Sequence, residues 1–166
     1  MKIIVVGMDN AGKTTLCNEL AHKLSATHVE PMGPGFTREA MLDNILLHMK
    51  RNENTVFERF SIFEELVYGK TLRGKSKFTA EDINLIKKYK PIIIYCRPSD
   101  EVIFNFGKRE QMNGVIEQKE KLLKAWDALI YQVLSGFKII KYDWTKDKLG
   151  NLLPGGINNE YYTCED

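Results

Sequence analysis

Cysteine is scarce, with three residues at positions 17, 96 and 164. Their odd number and long spacings exclude a C-x-x-C pair, so neither a disulfide framework nor a zinc site is expected. Reduced thiols in a cytoplasmic protein fit better. The three histidines, His22, His28 and His48, show no metal-ligand spacing. No apolar run reaches the length of a membrane span, and the opening MKIIVVG is too short for a signal-peptide core. A membrane partner is therefore not expected. Neither sign of charge dominates: 24 basic residues face 22 acidic ones, for a net charge of +2. That balance excludes a whole-molecule electrostatic footprint for nucleic acid. Repeats and low-complexity tracts are also missing, and 166 residues suit one domain over 1–166.

Apolar runs alternate with helical patterns, the signature of an α/β fold built on a parallel sheet. Strands are expected at 2–6, 28–30, 55–58, 91–96 and 137–142. Helices are expected at 13–24, 37–49, 61–68, 79–89, 99–106 and 115–134. The last carries Leu122, Trp126, Leu129, Ile130 and Val133 on one face. Polar stretches at 69–78 and 107–114 read as loops and candidate mobile segments.

Residues 7–14, GMDNAGKT, satisfy G-x-x-x-x-G-K-[ST] and stand between a strand and a helix. Gly7 and Gly12 allow the backbone to turn its N–H groups onto phosphate oxygens. With Asn10, Ala11, Thr14 and Thr15 they make the expected nucleotide cradle. Lys13 brings a cation to the distal phosphates and Thr14 a hydroxyl to magnesium. The motif specifies nucleotide binding and no particular reaction. Against a GTPase, the guanine-reading N-K-x-D is missing. For a kinase, Glu58-Arg59 follows a short strand: a carboxylate to take a proton or hold metal-bound water, and a guanidinium to neutralise phosphate.

The pattern resembles the P-loop nucleoside and nucleotide kinases, thymidylate kinases in particular, and is similar to small phage-encoded deoxynucleotide kinases. The loop, continued by Thr15, looks like the family's G-x-D-x-x-G-K-[ST]-T with its internal Asp9. Glu58-Arg59-Phe60 sits where thymidylate kinases have Asp-Arg-Tyr and deoxynucleoside kinases have Glu-Arg-Ser. Residues 65–69 with Leu72-Arg73-Gly74 look like the family's downstream helix with its tyrosine, Tyr68. The resemblance implies a three-layer fold with a five-stranded parallel sheet flanked by helices. It implies ATP as donor with Mg2+ held near Thr14 and Glu58. It further implies Asp9 near the acceptor phosphate or sugar, Arg59 near the transferred phosphoryl, and Tyr68 against the deoxyribose.

Arg97 or Arg73 is expected to read the base, and Lys108-Arg109 to lie on a lid over ATP, with Arg109 catalytic. The leading expectation is phosphoryl transfer to a deoxynucleoside monophosphate. A deoxynucleoside kinase is the nearest alternative. A polynucleotide or modified-base DNA kinase draws on the basic run Lys70, Arg73, Lys75 and Lys77. A non-catalytic nucleotide-binding module stands last, and a homodimer stays open as the assembly.

Overall fold

A computed structural model describes residues 1–107 and 111–152. Five strands form one parallel sheet: β1 (Lys2–Val6), β2 (Thr27–Val29), β3 (Thr55–Glu58), β4 (Ile92–Cys96) and β5 (Lys138–Tyr142). Their spatial order is β2-β3-β1-β4-β5. The chain leaves central β1 toward one edge and later returns to build the other. That reversal opens a crevice at the carboxyl end of β1, where ligands bind in such sheets.

Strand alternation divides the core in two. Ile3, Val5, Val56 and Ile94 face α1 (Lys13–Lys23), meeting Leu16, Cys17 and Leu20. Ile4, Val6, Phe57, Ile93 and Tyr95 face the opposite layer. There, α2 (Arg38–Lys50) contributes Met41, Ile45 and Met49. The helices α3 (residues 61–73), α4 (80–87), α5 (Asp100–Phe104) and α6 (119–133) complete it. The result is the expected three-layer arrangement. None of the described helices is long and apolar enough to cross a membrane.

Local chemistry accounts for the boundaries. The Thr37 side chain accepts from Ala40 N–H to start α2. Thr79 and Asp82 form a capping box before α4. At the far end of α2, buried Lys2 Nζ donates to the carbonyls of His48, Arg51 and Glu53 at 2.7–3.0 Å. This satisfies helix-terminal acceptors that would otherwise lie unpaired.

Two expectations are corrected. The loop expected over 69–78 begins as helix, because α3 passes through a π segment, Glu65–Gly69, and continues to Arg73. Its remainder is packed down: Phe78 is buried, and Lys77 Nζ donates to the carbonyls of Pro34 and Phe36. Val133, expected on the buried face of α6, is exposed. The π segment Leu129–Val133 adds a residue to that turn and rotates Val133 outward.

Gly7 is demanded by the sheet itself. Its φ is 139°, and a Cβ there would stand 2.4 Å from the carbonyl oxygen of Cys96 on β4. Backbone cannot yield as a flexible side chain can, so Gly7→Ala should destabilise the fold by about 2 kcal/mol or more. Urea unfolding monitored by circular dichroism would check this; an unchanged midpoint would contradict it.

Candidate active site

The phosphate-binding segment spans the β1–α1 turn. Gly12, at φ 83°, stands at the N-terminal cap of α1, whose first turn carries no acid to neutralise its positive end. Lys13 is buried, and its Nζ donates to the carbonyls of Gly7, at 2.9 Å, and Met8. Desolvation, helped by the Arg59 charge, lowers its pKa, while Asp9 opposes the shift. Ala11 is buried and Thr15 exposed. Asn10 turns its amide away from the loop, donating to the carbonyls of Val102 and Asn105 at 2.8 and 2.9 Å. Trp144, after β5, lies over the loop: a Cβ on Gly12 would come within 2.8 Å of its indole.

Two residues at the end of β3 reach this loop. The Thr14 hydroxyl donates to Glu58 Oε1 at 2.5 Å, and the other Glu58 oxygen is 3.1 Å from His28 Nε2. Thr14 and Glu58 therefore bring hard oxygen donors together, the chemistry a phosphate-bound magnesium requires. Arg59 pairs with Asp9 at 2.6 Å, an ion pair rather than a well-aligned hydrogen bond. Its backbone is left-handed at φ 52°, and its N–H donates to Val5 on β1 at 3.1 Å. A non-glycine residue held in that region stores strain of the kind found at functional sites.

Beyond Arg59 opens a cavity of about 380 Å³, walled by the 31–34 loop and α3. Arg59, Glu64, Glu65, Tyr68, Arg73 and Met112 contribute to its lining. Arg73 is paired with Glu65 at 2.5 Å. Tyr68 is buried, and its hydroxyl has no hydrogen-bond partner. Glu64 was not singled out from the sequence, where it sits inside an apolar run, SIFEELVY. Its Oε1 is buried without a partner, and burial pushes its carboxyl up to about 7, despite the opposing charges of Lys13 and Arg59. A buried unpaired oxygen costs about 1–3 kcal/mol unless water or a ligand supplies a donor.

The structure thus gathers Asp9, Lys13, Thr14, Glu58 and Arg59 at the loop, and Arg59, Tyr68 and Arg73 at the cavity. Arg97 is held elsewhere: its guanidinium donates to Asp100 at 2.7 Å and Asp127 at 3.3 Å, and it does not line the cavity. Lys108 and Arg109 lie outside the described residues.

Comparisons with known proteins agree with this geometry. A family model described as 50S ribosome-binding GTPase matches residues 2–58, the stretch from β1 through Glu58. No curated protein matches the chain. Among solved structures, the chain is similar to the YorR protein from Bacillus subtilis, solved in complex with phosphorylated GDP. They are 17% identical with a TM-score of 0.73, over 92% of this chain and 91% of that one. Deoxyadenosine kinase from M. mycoides, solved with dCMP and dCDP, is 22% identical with a TM-score of 0.60, over 89% and 92% of the two chains. Shikimate kinase from Aquifex aeolicus is 12% identical with a TM-score of 0.56, over 90% and 89%. At these identities the likeness is one of fold. Loop and fold together match the P-loop kinase fold, a five-stranded parallel sheet flanked by helices.

Glu64 also makes stability depend on pH. Its carboxyl titrates at about 7 in the folded chain against 4.5 ordinarily, so between those values the native state keeps a proton that the unfolded state has lost. Stability should therefore fall as pH rises through that window, by up to about 3 kcal/mol. Glu64→Gln should remove that slope in urea unfolding at stepped pH, and an identical slope in the variant would assign the titration elsewhere.

Proposed function

We propose that this chain is an ATP-dependent kinase that phosphorylates a deoxynucleoside monophosphate. One observation carries the reading: Arg59 belongs to both halves of the site. Its guanidinium pairs with Asp9 of the phosphate loop and also lines the cavity. A group so placed can neutralise charge on a phosphoryl passing from loop to cavity, where fixed cations act on the transition state without reorganising. Lys13 and the N-terminus of α1 would hold the donor's distal phosphates. Thr14 and Glu58 would hold magnesium, directly or through water, and the ion would neutralise charge on those phosphates.

A second reading, transfer to a deoxynucleoside, is favoured by Glu64. A hydroxyl acceptor must lose a proton, and a carboxyl near neutrality in the cavity wall is suited to take it. Glu58 is less suited, being engaged by Thr14 and His28. DNA as acceptor is less supported, since Arg73 and Lys77 of the basic run are bound within the chain. A purely binding module has no use for the Asp9–Arg59 link between loop and cavity.

Labelled ATP offered with deoxynucleosides, their monophosphates and short DNA oligomers tests the reading, which expects label on the monophosphates. Label confined to nucleosides or DNA would replace it, and none on any acceptor would end the kinase reading. Lys13→Ala should lower turnover on the order of a hundredfold or more with the fold intact. Tyr68→Ala should raise acceptance of ribonucleotides by roughly ten- to a hundredfold, because the ring leaves a 2′-hydroxyl unpaired. Equal ribonucleotide use by both proteins would remove that role.

A further inference from the structure

Parallel pairing sets His28 of β2 opposite Val56 of β3. Side chains alternate along a strand, so His28, Val56 and Glu58 share the face that α1 covers. On α1, Thr14 and Cys17 are three residues apart and turn to the same side. The ligating atoms of Cys17, His28 and Glu58 consequently lie within 4.8 Å of one another. Among the described residues no other group of three such side chains gathers this closely. Cys17 and Glu58 are buried, and the His28 side chain is 21% exposed, leaving a route from solvent.

We propose that Cys17, His28 and Glu58 bind a zinc ion, and that this ion inhibits the enzyme by occupying Glu58, which is then no longer available to magnesium. Magnesium has little use for a thiol or an imidazole, whereas a mixed sulfur, nitrogen and oxygen set is what zinc selects. Three protein ligands with a fourth position open to water complete a tetrahedron. Zinc bonds of about 2.0–2.3 Å place tetrahedral ligand atoms roughly 3.3–3.6 Å apart. The 3.1 Å between His28 and Glu58 is close to that span, and the thiol needs a side-chain adjustment of about 1 Å. On binding, the Cys17 thiol gives its proton to solvent and the thiolate sulfur bonds the metal. His28 binds through neutral Nε2 and Glu58 through a carboxylate oxygen. One thiolate and one carboxylate then balance the ion's charge, so no net charge is left buried. The binding does not depend on the kinase reading; the inhibition rests on it.

The test uses the full-length, nucleotide-free protein titrated with cobalt(II). A thiolate-to-cobalt charge-transfer absorption should appear, saturate at one ion per chain, and vanish on adding zinc. In Cys17→Ser, checked for folding by circular dichroism, the absorption should be lost and zinc affinity should fall about a hundredfold or more. His28→Asn should keep the thiolate band while weakening zinc comparably. Absence of the band in the native protein, or its survival in Cys17→Ser, would overturn the site. For inhibition, zinc should suppress transfer by the native enzyme, a chelator should restore it, and Cys17→Ser should be insensitive. Equal inhibition of both proteins would overturn the regulatory role. Should no acceptor be labelled, the cobalt titration still decides the site, separating its failure from that of the kinase reading.

Discussion

The Asp9–Arg59 ion pair fixes how the two halves of the site face each other. Asp9 follows β1 and Arg59 follows β3, and these strands are hydrogen-bonded neighbours at the centre of the sheet. Holding Arg59 in a left-handed conformation costs on the order of 1–3 kcal/mol. Such a conformation persists only where its surroundings over-determine it. Here the Arg59 N–H bonds to Val5, and Phe57 and Phe60 on either side pack edge-to-face at 5.4 Å. Strand pairing and aromatic packing thus absorb the strain. Their result is a guanidinium aimed along the line from the phosphate loop into the cavity.

From that arrangement follows a division of labour among the acids. Glu58 faces α1, because the alternation that buries Val56 against Leu16 and Cys17 carries it to the same side. It therefore meets the Thr14 hydroxyl and not the cavity. Glu64, one turn into α3, lines the cavity and feels the charges of Lys13 and Arg59. In the proposed transfer, two carboxylates close in sequence would serve different parts of the site. One is tied by hydrogen bonds, and the other is held unpaired against the cost of its burial.

Much of the fold was legible because parallel strands buried on both faces are written as short apolar runs. KIIVV and IIIYC could hardly be anything else. The expected helix starts at 37 and 79 also fall where Thr37 and Thr79 supply caps. The nucleotide cradle was legible for a related reason: its backbone geometry demands glycines at fixed spacing. What stayed hidden depends on π turns and on register. An extra residue in the turn at 65–69 or 129–133 leaves no local mark, yet rotates everything beyond it. The extension of α3 to Arg73 lies downstream of the first, and the exposed Val133 ends the second. The meeting of Cys17, His28 and Glu58 was equally invisible. Three residues on three elements have no common spacing, and only the β2–β3 register with the face of α1 brings them together.

The charges of the site explain why an unpaired carboxyl can persist beside a phosphate loop. Lys13 and Arg59 supply two cations, and Asp9 and Glu58 two carboxylates. Ionised Glu64 would be a third carboxylate, and it already feels the repulsion of the other two. A proton on Glu64 leaves the remaining groups in balance. A nucleoside triphosphate in the loop would bring further negative charge and favour the proton on Glu64, while magnesium accompanying it would work in the opposite direction. The Glu64 pKa thus answers to Lys13 and Arg59, which lower it, and to Asp9 and Glu58, which raise it, against the larger effect of burial. A neutral carboxyl can donate a hydrogen bond as well as accept one, whereas the ionised form only accepts.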